Sequence, residues 1–123
     1  MAHKILLVDD SRTVRQQVAA ALTEAGFAVV EAGDGGEALD QLAKNGDVRM
    51  VVCDVTMPRM SGLEFLAAMK DQGRMGSPPV IMLTTEGKSE VIEKAKALGV
   101  RGWVVKPVQA AQLVAAAKKL TDG

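Results

Sequence analysis

The residues in this 123-residue chain that are best suited to chemistry are carboxylates that follow short apolar segments. Asp54 follows the run MVVC, and Asp9 and Asp10 follow the run ILLV. A carboxylate at the end of a buried strand is costly unless a partner compensates for its charge. Asp54 could therefore be a helix cap, a metal ligand or a reactive group, and the choice depends on what lies beside it.

Short apolar runs alternate with longer amphipathic stretches along the chain, which predicts alternating strands and helices. Strands are predicted at 5–8, 28–31, 50–53, 80–83 and 102–105. Helices are expected to begin near Arg12, Asp34, Ser61 and Ser89, and the last one is expected to end near Leu120. The strands are continuously apolar, which is typical of a parallel sheet with helices on both faces. Five strands alternating with five helices predict an α/β fold.

Composition excludes several classes of protein. Lys and Arg total 15, as do Asp and Glu, so no bulk charge favours binding to DNA or to a membrane surface. The single cysteine, Cys53, excludes an internal disulfide and fits a reducing compartment. No apolar run approaches membrane-spanning length. We expect a soluble, cytoplasmic and monomeric protein, with one domain over 1–123 and no attached output domain.

Polar residues directly follow four of the predicted strands. They are Asp9 and Asp10, Asp54, Thr84 with Thr85, and Lys106. The carboxyl ends of parallel strands meet at one edge of a sheet, where ligands bind, so these side chains should converge. Three clustered carboxylates repel one another, and a divalent cation with oxygen ligands would relieve that repulsion. Mg²⁺ suits such a set because it needs few protein carboxylates and keeps positions for water and phosphate.

This set of residues favours phosphoryl chemistry. With a metal in place, one carboxylate could attack phosphorus as a nucleophile. The Lys106 ammonium and the Thr84 hydroxyl would stabilise charge on the phosphoryl oxygens. Taken singly, each residue has a structural explanation: Asp9 or Asp10 as a helix N-cap, Thr84 as a turn residue, Lys106 as a surface charge. Their joint placement is what favours a phosphoryl site.

The sequence resembles the receiver domain of two-component response regulators. In shape it resembles the single-domain, chemotaxis-type (CheY-like) members of that family. The similarity runs from about Lys4 to Leu120, and its motifs are LLVDDS, VVCDVTMPRMSG, IMLTTEG and WVVKP. It implies a flavodoxin-like, doubly wound sheet of five parallel strands in the order 2-1-3-4-5, with five helices. It also implies a signalling module that catalyses its own phosphorylation and dephosphorylation.

The resemblance implies a chemical role for each matching residue. Asp54 would accept a phosphoryl group from a phosphohistidine on a sensor histidine kinase or a histidine phosphotransfer protein. Asp9, Asp10 and Asp54 would hold Mg²⁺, with Mn²⁺ as a substitute, and the backbone carbonyl of Thr56 would be a further ligand. Lys106 would contact the phosphoryl group.

The resemblance also implies how the signal would leave the site. Thr84 would swing towards the phosphoryl group and Trp103 would turn inward, changing the face formed by helix 4, strand 5 and helix 5. The family usually has Tyr or Phe at the position of Trp103, so simple packing of this ring is the alternative. Thr56 and Glu86 would tune the phosphoryl lifetime, and Pro107 would follow a cis peptide bond that orients Lys106.

Signal output would then require binding to another protein, and a component of the flagellar motor switch is one candidate. The main alternative is a receiver-like adaptor that acts by binding without phosphorylation. A phosphatase of the haloacid dehalogenase type would need an Asp where Thr56 stands. A flavodoxin-like cofactor carrier would need a Ser/Thr/Gly-rich phosphate loop where the acidic DDSRTVR stands.

Overall fold

Five strands and five helices alternate in the computed structural model, which describes residues 3–55, 57, 60–74, 77–85 and 89–121. The elements are β1 (Lys4–Val8), α1 (Arg12–Glu24), β2 (Ala28–Ala32), α2 (Gly35–Lys44), β3 (Val48–Asp54), α3 (Gly62–Asp71), β4 (Val80–Thr84), α4 (Ser89–Ala97), β5 (Gly102–Val105) and α5 (Ala110–Thr121). All strand pairs are parallel, in the order β2-β1-β3-β4-β5. The predicted flavodoxin-like α/β fold is confirmed.

Strand register brings the acidic residues together. Val8 of β1 pairs with Cys53 of β3, so the residues that follow them, Asp9 and Asp54, leave neighbouring strands side by side. The last residues of β4 and β5 also pair with each other. The carboxyl ends of the four strands thus form one edge, as the parallel arrangement requires.

Alternate strand residues point to opposite faces of the sheet, and each face is covered by helices. One core cluster joins Leu6 and Val51 to residues of α2, α3 and α4. The other joins Leu7 and Val52 to residues of α1 and α5. The central strands β1, β3 and β4 are therefore almost fully buried on both faces, which explains why their sequences are continuously apolar.

Helix starts agree with the predicted signals, with some differences in detail. The Asp34 side chain caps α2 by accepting a hydrogen bond from the Glu37 N–H at 2.9 Å. Ser61 and Glu64 form a reciprocal capping box at the start of α3. The fourth helix, α4, begins at Ser89, the residue expected at its start. None of the helices in the described part of the chain is both long and apolar enough to cross a membrane.

Candidate functional site

Three carboxylates meet at the carboxyl edge of the sheet. Asp9, Asp10 and Asp54 each place one oxygen so that these atoms all lie within 4.8 Å of one another. Asp9 has no solvent exposure and Asp54 only 5%, whereas Asp10 is exposed. The cluster therefore has two buried members and one that faces solvent, as expected for a site reached from one side.

Lys106, which follows β5, contacts both buried carboxylates. Its Nζ lies 3.0 Å from Asp9 Oδ2 and 3.3 Å from Asp54 Oδ2. Its backbone N–H donates a hydrogen bond of 2.7 Å to the carbonyl oxygen of Thr84, the last residue of β4. The peptide bond between Lys106 and Pro107 is cis. The ammonium is thus anchored where β3, β4 and β5 end together.

The positive charge of Lys106 is stabilised by the two buried carboxylates beside it. Burial alone would lower the pKa of this ammonium, but its close contacts with the negative charges of Asp9 and Asp54 outweigh burial and raise the pKa. Lys106 therefore stays protonated at neutral pH. One ammonium cannot balance three carboxylates, so the site retains negative charge that a cation could offset.

Neither buried carboxylate serves as a helix cap. Ser11 is the N-cap of α1, where its side-chain oxygen accepts from the Val14 N–H at 3.3 Å. Asp9 instead accepts a 2.8 Å hydrogen bond from the Ser11 N–H through Oδ1. The cap of α3 is Ser61, so Asp54 is also left for other chemistry. The interpretation of Asp9 as a cap of α1 is wrong because Ser11 already supplies the capping oxygen.

Gly62 packs directly against the backbone of Asp54, and its role was not predicted from the sequence. It is the first residue of α3, and its N–H donates a 2.8 Å hydrogen bond to the Val55 carbonyl. A Cβ at this position would overlap the carbonyl oxygen of Asp54 and stand 2.9 Å from the Val55 Cα. Glycine is required here because the helix start packs directly on the backbone of the acidic residue. The glycine directly after the capping Ser61 was the available signal.

Cys53 is a core residue beside the site. Its buried thiol donates to the Asp54 carbonyl oxygen at 3.3 Å. Burial first, and then the charges of Asp54 and Asp9, raise the pKa of this thiol. The sulfur therefore stays protonated and weakly nucleophilic, as expected for a structural cysteine.

The residues expected to relay the signal lie at different places. Thr84 is 7% exposed and ends β4 at the same edge as the carboxylates. Trp103 lies on β5 with 38% exposure, and Lys96 of α4 places its Nζ 4.9 Å from the centre of the indole ring. In this structure the ring is at the surface. Thr56 and Glu86 lie outside the described residues.

The donor set fits a hard divalent cation. All three side chains offer carboxylate oxygens, which are the ligands preferred by Mg²⁺, and the exposed Asp10 leaves a side open to water. The set contains no sulfur or imidazole donor among the described residues, so the softer metals have no advantage there.

Comparison with known proteins agrees with this geometry. A family model described as the response regulator receiver domain matches residues 5–118. The chain is 45% identical over 106 residues to a chemotaxis protein CheY homolog of Campylobacter jejuni, covering 85% of this chain and 81% of the relative. Over 106 residues it is 42% identical to chemotaxis protein CheY1 of Helicobacter pylori, covering 85% of each. The structure of chemotaxis protein CheY4 of Vibrio cholerae superposes with a TM-score of 0.90 at 38% identity, covering 98% of this chain and 99% of that one.

The family match extends over nearly the whole chain, and the acidic pocket with its lysine stands at the predicted edge. Membership of the family implies a histidine kinase as partner in a two-component system. On this evidence the chain belongs to the response regulator receiver domain family, as a CheY-like homologue of chemotaxis proteins.

Proposed function

We propose that this protein is a stand-alone response regulator that accepts a phosphoryl group onto Asp54. The donor is a phosphohistidine of a sensor histidine kinase or of a histidine phosphotransfer protein. The observation that carries the proposal is the convergence of three carboxylates within 4.8 Å, with the Lys106 ammonium 3.3 Å from Asp54. The similarity to chemotaxis proteins supports a role in chemotaxis. We further propose that the protein acts in the cytoplasm as a single domain.

The transfer exchanges one bond to phosphorus for another. A carboxylate oxygen of Asp54 attacks the phosphorus, and the bond between phosphorus and the histidine nitrogen breaks. The electron pair of that bond goes to the imidazole, which takes up a proton and leaves as neutral histidine. Hydrolysis by water later releases inorganic phosphate and restores the Asp54 carboxylate. The near-complete burial of Asp54 strengthens electrostatic stabilisation of both steps.

Lys106 and Thr84 provide that stabilisation. The ammonium already lies beside Asp54, and the carboxylates that raise its pKa keep it charged. It would contact the phosphoryl oxygens once they are joined to Asp54. The Thr84 hydroxyl, at the end of β4, would donate to the same oxygens and so register that the site is occupied. Thr56 and Glu86 would tune the lifetime of the phosphoryl group.

Asp9, Asp10 and Asp54 would hold Mg²⁺, with Mn²⁺ as a substitute, and the backbone carbonyl of Thr56 would be a further ligand. Bound there, the ion would offset the charge of the carboxylates and of the incoming phosphoryl oxygens. The carboxylates would provide the negative charge that binds the ion, and Lys106 would balance the negative charge that the ion does not offset.

Phosphorylation would signal by shifting an equilibrium on the face formed by α4, β5 and α5. The proposed link passes through β5: the Thr84 carbonyl accepts from the N–H of Lys106, which directly follows β5, and Trp103 lies on that strand. We infer that Trp103 turns inward as Thr84 moves towards the phosphoryl group. Output then comes from binding another protein, and a flagellar motor switch component is the candidate that chemotaxis suggests.

Intact-mass spectrometry after incubation with acetyl phosphate, with and without Mg²⁺, tests the proposal. We expect a gain of one phosphoryl group that depends on Mg²⁺ and is lost in Asp54→Asn. Asp40→Asn is the matched control, because Asp40 is an exposed acid on α2, and it should be phosphorylated like wild type.

A short-lived adduct could escape detection, so rapid quenching and binding of beryllofluoride accompany the mass measurement. Absence of an adduct and of beryllofluoride binding would overturn the proposal. The receiver-like adaptor without phosphorylation would then be the better account of this protein.

A further inference from the structure

Arg15, an α1 residue that the phosphotransfer chemistry does not use, contacts the backbone of the acidic site. Its Nη1 donates a 2.9 Å hydrogen bond to the carbonyl oxygen of Asp9. Its Nε lies 3.4 Å from Glu31 Oε1 on β2, an ion pair without hydrogen-bond geometry. The Arg15 side chain is only 20% exposed. A largely buried guanidinium thus joins α1, the end of β1 and the end of β2.

This contact lies just beyond the last backbone hydrogen bond between β1 and β2. The Asp9 N–H still donates to the Ala32 carbonyl at 3.1 Å, but Ala32 is the last residue of β2. The carbonyl of Asp9 therefore extends past the paired part of β2, and the donor it receives is the Arg15 guanidinium. A Cβ on Gly33 would stand 3.0 Å from Arg15 Nη1, so this glycine leaves the guanidinium its space.

We propose that Arg15 is a positioning residue that fixes the Asp9 backbone so that its carboxylate faces the metal site. The inference rests on the proposed Mg²⁺ site for its functional consequence. Asp9 directs Oδ1 to the Ser11 N–H and Oδ2 to Lys106, and both directions depend on the orientation of the backbone that Arg15 holds. Outer contacts that orient a ligand commonly matter almost as much as the ligand itself.

If Arg15 acted only through its charge, removing its side chain would raise the affinity for Mg²⁺. If Arg15 positions Asp9, removing the side chain lowers that affinity, so the two roles can be told apart. Arg15 carries a positive charge near the acidic cluster, so removing that charge alone should strengthen the binding of a cation. Removing a positioning contact should weaken it. Arg12 is the matched control, because it lies on the same helix, carries the same charge and is exposed.

Calorimetric titration with Mg²⁺ of the unphosphorylated protein distinguishes these cases. We expect Arg15→Met to weaken Mg²⁺ affinity by about 10- to 100-fold. Arg12→Met should bind Mg²⁺ as wild type does, or more tightly. Arg15→Lys, which keeps the charge but cannot span the two contacts, should fall between wild type and Arg15→Met and provides a folded variant if Met is not tolerated. Affinity in Arg15→Met equal to wild type or tighter would overturn the inference.

A second readout does not need the metal. Hydrogen exchange of the Ser11 amide, measured by NMR without Mg²⁺, reports the bond to Asp9 Oδ1. We expect faster exchange in Arg15→Met than in Arg12→Met. If wild type fails to bind Mg²⁺, the proposed metal site is wrong, and this amide alone then decides the inference about Arg15: unchanged exchange would overturn it.

Discussion

The ammonium nitrogen of Lys106 lies 3.0 Å from Oδ2 of Asp9, a carboxylate without solvent exposure. A charge so deeply buried is stable only with a counter-charge, and the lysine is the one that the described residues provide at this distance. A divalent cation bound by the same carboxylate would share that task. Lys106 and the cation are therefore expected to compensate for each other in stability.

Lys106→Met should destabilise the protein by about 3 kcal/mol in the presence of a chelator, at the low end for a buried pair because the lysine side chain keeps 16% exposure. Mg²⁺ should restore part of this loss, since it stabilises the folded state that binds it. Urea unfolding with and without Mg²⁺ measures both effects, and the stabilisation by Mg²⁺ should be larger in the variant than in wild type.

The control for this prediction is Lys4→Met. Lys4 pairs with Asp47 at 3.1 Å, but the Asp47 side chain is 70% exposed, so its loss should cost less than about 1 kcal/mol. Mg²⁺ should stabilise this variant as it stabilises wild type. Equal stabilisation of Lys106→Met and Lys4→Met by Mg²⁺ would contradict the compensation between Lys106 and the cation.

On the alkaline side, the stabilising contribution of Lys106 should be lost only above the ordinary pKa of a lysine. Its pKa in the folded protein is raised above the ordinary 10.5, so its stabilising effect is complete below 10.5 and is lost as pH rises through the higher folded value. The difference in unfolding free energy between wild type and Lys106→Met should be constant between about pH 7 and pH 9 and should shrink above about pH 10.5. A difference that shrinks already between neutral pH and pH 9 would contradict the raised pKa.

Most of the polar residues at the carboxyl edge of the sheet could be predicted from the sequence. The residues that hold them in position could not. Asp9, Asp54 and Lys106 could be placed because each directly follows an apolar run, and parallel strands bring such positions together. Gly62 and Arg15 could not be placed in the same way. Their roles depend on how closely a helix approaches a strand end, and the pattern of apolar residues does not encode that distance.

Gly62→Ala should lower both stability and the rate of phosphorylation, because its Cβ would overlap the carbonyl oxygen of Asp54 and displace this proposed phosphoacceptor. Overpacking of this kind costs about 1–3 kcal/mol. Gly46→Ala is the control, since a Cβ at Gly46 would meet nothing within 4 Å. Urea unfolding and the rate of phosphorylation by acetyl phosphate should both be impaired in Gly62→Ala and little changed in Gly46→Ala. A phosphorylation rate in Gly62→Ala equal to that of wild type would contradict the prediction that a Cβ at this position displaces Asp54.

The outward position of Trp103 should be held in part by Lys96, whose Nζ lies 4.9 Å from the ring centre. At an exposed site such a contact is worth about 0.5–1 kcal/mol. An inward turn of the ring must break it. Lys96→Met should therefore favour the inward state by about two- to fivefold.

Fluorescence of Trp103, the one tryptophan of the chain, makes this measurable by titration with beryllofluoride and Mg²⁺. Lys96→Met should reach its fluorescence change at a lower beryllofluoride concentration than wild type. Lys94→Met removes the same charge from an exposed position on α4 and should titrate as wild type does. If both variants titrate as wild type, Trp103 does not leave Lys96 on activation. The ring would then be a packing residue, and the signal would pass through Thr84 without it.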